Sequence, residues 1–427
     1  MFGLLLAKFY YIIWIFITPL LPFIYFYRLI LKKEELNKIK EKFGINSNTY
    51  KNSNLIWINA ASLGEARSAI PLIKELLTYN VKILFTTVTV TSAKHVRSIL
   101  KDINSDNICH QYAPIDHPIV INIFLNNWKP KSIIFIESEI WPNIIIKSHY
   151  RKIPLILIQG RMSLNTYKKW IVLKSFAKYI FQKFNLIIAQ DNKNYMRYKN
   201  IGAVNIANEI NLKNSVNAPK MSYSKKSSLT KNINKKFIIV FASIHDNIEE
   251  EAAILSHKKL KKIKHNLLTI IVPRYPQKIS NILKLGVKNN LNINLRSSKK
   301  PSKTITDIYV ADTIGELGTF YEIADICFIG GSLAQKGGHN LIEPAFEKCA
   351  IIFGPDVSNH ISTAEILLNN QAAIQIKNTN ELIAELTSLC KNNNEVNKLK
   401  NKAFKLVKDM PSPVKEILDI IKPILKL

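Results

Sequence analysis

The sequence predicts an α/β protein with two Rossmann-like domains facing a cleft, preceded by a membrane helix. Three observations predict it. Two series of short apolar runs, each alternating with helical stretches, occupy most of the 427 residues. A polar segment, Asn214–Lys236, separates them, and a segment carrying one charge, Phe9–Leu31, precedes them. Apolar runs between helices fit parallel strands covered on both faces, and a chain of this length can bury two cores.

The first element is FYYIIWIFITPLLPFIYFYRLIL, Phe9–Leu31, whose single charge is Arg28. It is long enough to cross a hydrocarbon core of roughly 30 Å. Lys32 and Lys33 follow, so the positive-inside tendency places the rest of the chain on the cytoplasmic side. No small-residue cleavage site ends the run, which argues against a removed signal peptide. Pro19 and Pro22 leave a second arrangement open, a kinked helix or hairpin lying in the interface. The anchor is placed at residues 1–33.

Residues 50–213 form the first domain, with runs at Leu55–Asn59, Lys82–Val88, Ser132–Ile136, Pro154–Ile158 and Leu186–Ala189. Residues 214–236, rich in Ser, Asn and Lys without apolar periodicity, are a linker. Residues 237–408 form the second domain, with runs at Phe237–Ala242, Leu267–Val272, Ile308–Ala311, Ile326–Ile329 and Ile351–Phe353. Residues 409–427 are an amphipathic helix whose docking place the sequence does not specify.

Ligands in such sheets bind beyond the carboxyl ends of strands, so residues just after the runs are the candidates. FIGGSLAQKGGHNLIEPAFEKCAIIFGP, Phe328–Pro355, reads as strand, glycine-rich loop, helix start at Asn340–Glu343 and strand. Unpaired helix-start amides and close backbone approach suit a phosphate. Glu65 follows the first run through AASLG and opens a helix to Tyr79, where it can act as a base or simply complement the helix dipole. In ESEIWPN, Glu137 and Glu139 follow the run Ser132–Ile136, and only one of them is expected to face the cleft, the other being structural. Arg274, directly after Leu267–Val272, can grip a phosphate or carboxylate, or form a surface ion pair. Asp312 and Thr313 read as a helix cap. Ser243 and His245 could begin a hydrolase triad, but no GxSxG elbow surrounds Ser243, which is expected at an ordinary strand end without a strained turn; His245 fits better as a lining residue.

The formal charge of +29 invites a nucleic-acid reading. Arg occupies only eight positions, however, and the Lys excess is scattered, which fits a basic surface facing anionic lipid. No nucleic acid is expected. Cys109, Cys327, Cys349 and Cys390 lack metal or disulfide spacing, and no Asp-x-Asp motif occurs.

Six segments carry a resemblance in the same order along most of the chain: AASLGEARSAIPLI, ESEIWPN, GRMS, PRYP, DTIGEL and GGSLAQKGGHNLIEP. Together they resemble the 3-deoxy-D-manno-octulosonic acid (Kdo) transferases of lipopolysaccharide synthesis. The resemblance implies the GT-B arrangement, an inverting transfer of Kdo from CMP-Kdo to a lipid A precursor, and no bound metal or cofactor. It implies an inner-membrane enzyme in contact with membrane lipids. By the same resemblance Glu65 is the base and Glu137 stabilises the transition state. Pro273, Arg274, Ile314, Gly315, Glu316, Asn340, Leu341, Ile342 and Glu343 hold the donor. The chain departs from the family at Asn211, where the pattern Gly-x-x-Lys-Phe-Asp has Lys, and at Tyr275, where Pro-Arg-His-Pro has His. A neutral amide at 211 cannot supply the same charge, which puts rate and substrate detail in doubt.

Overall fold

The structure is a computed structural model that describes residues 2–45, 54–103, 105–207, 210, 212, 236–298, 306–410 and 412–427. Asn208, Asn211, Lys213 and the linker up to residue 235 lie outside the described residues. Two compact units are present, Met1–Val216 with Pro411–Leu427, and Asn217–Met410.

The first unit holds β1 (Leu55–Asn59), β2 (Lys82–Thr87), β3 (Ile108–Tyr112), β4 (Ser132–Ile136), β5 (Leu155–Gly160), β6 (Leu186–Ala189) and β7 (Ile206–Ala207). They form one sheet in the order β3-β2-β1-β4-β5-β6-β7. The second holds β8 (Phe237–Ile244), β9 (Leu267–Pro273), β10 (Ile293–Leu295), β11 (Ile308–Val310), β12 (Ile326–Ile329), β13 (Ala350–Phe353) and β14 (Ala373–Gln375), in the order β10-β11-β9-β8-β12-β13-β14. Every pairing is parallel. Apolar clusters cover both faces of each sheet, which is why the interior strands are apolar without alternation. The strand order reverses between β1 and β4 in the first sheet and between β8 and β12 in the second, where β11 is also inserted between β9 and the edge strand β10. Crevices open at such reversals, beyond the carboxyl ends of the flanking strands.

The carboxy-terminal helix, Pro413–Leu425, returns to the first unit. Val414, Ile417, Leu418, Ile421 and Leu425 are buried with Ile70, Ile73 and Leu76 of helix Leu63–Leu76.

At the amino terminus, helices Phe2–Ile17 and Leu21–Ile30 are joined by a 3-10 turn, Thr18–Leu20. Pro19 and Pro22 occupy first-turn positions, where a missing N–H costs no hydrogen bond. The connector that follows is fixed by charge: Glu34 pairs with Arg28 at 2.7 Å, Arg97 with Glu35 at 2.6 Å, and Glu41 accepts from Tyr112 N–H of β3 at 2.9 Å.

Candidate functional site

The first candidate group lies at the β1/β4 reversal. After β1 the loop Ala60–Ser62 enters the helix at Leu63, two residues earlier than the sequence reading placed it. Ser62 is its N-cap and Glu65 closes a capping box. Glu65 N–H donates to Ser62 Oγ at 3.3 Å, while Glu65 Oε2 accepts from the N–H groups of Ala61 at 2.7 Å and Ser62 at 3.3 Å. Among the described residues no hydrogen bond reaches Oε1. One oxygen fixes the carboxylate and the other is not committed to the cap, so a capping role does not exclude that of a base. Burial, reinforced by the charge of Glu137, pushes the Glu65 carboxyl above its ordinary value.

The expectation of a single cleft-facing carboxylate in ESEIWPN does not hold: residues two apart in a strand share a face, and here β4 stops at Ile136 and Glu137 turns into the left-handed region at φ 62°. Its backbone is held from both sides: Glu137 N–H donates to Ile158 O at 3.0 Å and Glu137 O accepts from Arg161 N–H at 3.1 Å. The chain is re-aimed, and Glu139 joins the same electrostatic neighbourhood. Burial and the charges of Glu65 and Glu137 push Glu139 up to about 7. Glu139 Oε2 accepts from the Trp141 indole at 2.5 Å. Asn143 fixes the start of the following helix, its N–H donating to buried Asp116 Oδ2 at 3.0 Å and its side chain to Asp116 O at 2.6 Å. Gln159, at the end of β5, is also left-handed at φ 57° and buried. Strained conformations at adjacent strand ends mark functional sites more often than plain scaffold.

The second group lies at the β8/β12 reversal of the other unit. Ser243 does sit in a strained conformation, φ 54°, at a register shift between Ala242 and Ile244. That corrects the expectation of an ordinary strand end. The bulge brings Ser243 O so near Gly330 that a Cβ there would stand 2.5 Å from it, which is why position 330 is glycine. His245 follows, its ring 5.2 Å from that of His339 and nearly parallel, with the two Nε2 atoms 2.9 Å apart. Tyr275 meets His245 edge-on at 5.7 Å, filling the position where the family has His. Burial, with the neighbouring His245, Arg274 and His360, pushes His339 down to about 3, so its ring is neutral and one ring of the pair can donate to the other. Arg274 is exposed beyond buried Pro273, and among the described residues no ion pair engages its guanidinium.

The glycine-rich loop is built differently from the expected phosphate cradle. Fully buried Glu249 accepts from the N–H groups of His245 at 2.7 Å, Gly331 at 2.9 Å, Leu333 at 3.0 Å and Ala334 at 3.2 Å. Gly337 N–H donates to Asp356 at 2.7 Å, and Lys336 and Gly338 N–H to Gly331 O. These amides are already used, so the loop shapes the site through its fold. Sequence reasoning missed Glu249; the available signal was its place in the helix of FASIHDNIEEE, four residues after the capping position His245.

The remaining donor candidates divide into exposed and structural parts. Ile314 is 86% exposed, and nothing lies within 4 Å of a Cβ built on Gly315. Glu316 is paired with Arg296 at 3.0 Å and accepts from Thr313 at 2.5 Å. Asp312 accepts from Ser297 N–H at 2.8 Å. Asp312 and Thr313 therefore tie neighbouring segments together, and the expected cap is absent from helix Leu317–Glu322. Asn340 Oδ1 accepts from Ile342 N–H at 2.9 Å and its amide donates to Glu343 at 3.2 Å. Leu341 is a core side chain, and the helix begins only at Ile342.

Two parallel α/β units with polar groups gathered at their strand-order reversals make up a GT-B fold. A solved glycosyltransferase from Rickettsia africae ESF-5 superposes with TM-score 0.60 at 14% identity, covering 88% of this chain and 99% of that one. The family model of 3-deoxy-D-manno-octulosonic-acid transferase (kdotransferase) matches residues 37–216. The 3-deoxy-D-manno-octulosonic acid transferase of Rickettsia bellii (strain RML369-C) is 35% identical over 97% of this chain and 99% of its own length. That of Haemophilus influenzae (strain ATCC 51907 / DSM 11121 / KW20 / Rd) is 30% identical over 87% of each. The chain belongs to the Kdo transferase family and is a Kdo glycosyltransferase.

Proposed function

We propose that the chain takes Kdo from CMP-Kdo and delivers it to a lipid A precursor, lipid IVA, inverting the anomeric carbon. The observation that carries this reading is Glu65: a buried carboxylate with one oxygen fixed by its own helix cap and the other without a hydrogen bond among the described residues. In the proposed step the acceptor hydroxyl gives its proton to Glu65 while its oxygen bonds the anomeric carbon. The bond from that carbon to the donor phosphate breaks, and CMP leaves with the electron pair. Glu137 favours the positive charge that develops on the sugar. Arg274 meets the donor's phosphate or carboxylate, Ile314 and Gly315 line the nucleotide, and Asn340–Glu343 hold the sugar side, with no metal or cofactor required. The apolar amino-terminal segment keeps the enzyme on inner-membrane lipid, with its two units on the cytoplasmic side.

The test is CMP release from CMP-Kdo with lipid IVA in detergent, with the product's anomeric configuration read by NMR. Acceptor-dependent release and an inverted product support the reading. Turnover of a UDP-sugar instead, or CMP binding without release by the folded chain, would sink it.

A further inference from the structure

The amino-terminal segment is long enough to span a bilayer, Phe2–Ile30 being 29 residues, yet its first helix is committed to the folded unit. Gly3, Ala7, Tyr10, Trp14 and Thr18 recur at helical spacing along one stripe. At one end a Cβ on Gly3 would stand 2.4 Å from Ser175 O and 2.8 Å from Tyr179 Cβ, so only glycine permits the approach. In the middle Ala7 is buried, and the Tyr10 ring lies 6.2 Å from Phe176. Further on, Tyr10 O–H donates to fully buried Asp116 at 2.9 Å, Trp14 meets the His117 ring edge-on at 6.0 Å, and Thr18 Oγ1 lies 2.9 Å from His117 Nε2.

The opposite stripe is apolar and uncovered: Phe2, Leu5, Phe9, Phe16, Leu20 and Phe23 are all exposed. Immediately before the helix that receives Gly3, Lys174–Phe181, lies a second exposed apolar elbow, Ile171–Leu173. Charge around these surfaces has one sign. No Asp or Glu occurs from Met1 to Lys33 or from Ile140 to Gln190, whereas Lys8, Lys32, Lys33, Lys168, Lys169 and Lys174 are exposed.

We propose that the amino-terminal segment is an in-plane anchor: helix Phe2–Ile17 stays docked along its Gly3–Thr18 stripe and presents its apolar face, with Ile171–Leu173, to one leaflet of an anionic membrane. This rests on the membrane association proposed above. With residues 3–18 docked, only the ten-residue helix Leu21–Ile30 is left to cross, and its rise of about 15 Å is half of what a hydrocarbon core needs. Pulling the first helix off to span would strip buried Asp116 of the Tyr10 hydroxyl and leave the residue 116–117 face open. The uniform basic rim matches anionic head groups.

The test uses the full chain, expressed in a Gram-negative cell, with Cys109→Ser as background because the other cysteines are buried. Lys8→Cys and Lys33→Cys are labelled with a membrane-impermeant maleimide in intact spheroplasts and after lysis, and an amino-terminal epitope is challenged with protease in both states. The in-plane anchor predicts that the protein sediments with membranes and that both positions and the epitope react at least about tenfold less before lysis than after. Labelling of Lys8→Cys, or loss of the epitope, in intact spheroplasts while Lys33→Cys stays protected overturns the in-plane anchor and leaves membrane association standing. Recovery of active enzyme in the soluble fraction overturns both.

Discussion

The two units share one architecture and carry opposite electrostatics at the same place. At the β1/β4 reversal the first unit gathers Glu65, Glu137 and Glu139, each carboxyl raising or raised by a neighbour. At the β8/β12 reversal the second gathers Arg274, His245, His339 and His360, where a cation and burial keep His339 neutral. A repeated fold thus supplies equivalent crevices, and the side chains at the strand ends decide which partial reaction each can serve. An acidic crevice suits proton removal and support of a cationic sugar; a crevice with one accessible guanidinium and neutral rings suits an anionic donor.

The largest break in that contrast comes from Glu65→Gln. Glutamine can keep the capping box through its carbonyl oxygen but cannot take a proton, so the variant is expected to fold normally and lose about 10²–10⁴-fold in kcat. Native-like melting with that loss, measured by CMP release, separates base from cap. Activity within a few-fold of native would reduce Glu65 to a cap.

Glu249→Ala attacks the second crevice through its frame. Four backbone donors lose a buried acceptor, so the second unit is expected to weaken by about 3–5 kcal/mol, read by denaturant unfolding. Glu249→Gln keeps one acceptor and the volume. It is expected to raise KM for CMP-Kdo more than it lowers kcat, because it disturbs His245 and the loop without touching the first crevice. Arg274→Ala should fold normally and raise KM for the donor about 10–100-fold, with Arg274→Lys recovering only part, since a point charge lacks the bidentate fork. An unchanged donor KM would remove Arg274 from the site.

The same opposition shows what was legible in the sequence. The interior strands β1, β2, β4, β5, β6, β8, β9, β12 and β13 were readable, as was β11 beside the edge, because burial on both faces makes them continuous apolar runs. The unrecognised strands are β3, β7, β10 and β14, which are the four sheet edges. ICHQY, INL and AIQ carry polar residues because an edge strand is only partly covered, and IA is too short to register. Glu65 was legible through its place just after the run that became β1 and through the resemblance carried by AASLGEARSAIPLI. Glu139 was not, because the chain leaves strand geometry at the positive φ of Glu137, and that bend sets where the following side chains turn. Glu249, and the pairing of Glu316 with Arg296, were hidden for another reason. Their partners lie up to 85 and 20 residues away, and only the folded sheet brings them together.

The smallest expected effect discriminates among the carboxylates themselves. Glu139 is raised to about 7 in the fold, above its ordinary 4.5, so the folded state binds its proton more tightly than the unfolded chain does. Its stabilising contribution is therefore complete below about 4.5 and is lost as pH rises through about 7. Glu139→Gln should leave stability near native at low pH and increase it at pH 8 by about 1–2 kcal/mol, allowing for partial exposure. The activity profile should respond in the other order. Glu137 raises Glu65, so Glu137→Gln should move the acid limb of kcat/KM to lower pH whatever it does to the maximum rate. Glu139→Gln should leave that limb in place, because Glu139 already holds its proton while Glu65 titrates. A limb that moves with Glu139 and ignores Glu137 would exchange the two roles and make Glu139, the carboxylate held by Trp141, the charged neighbour of the base.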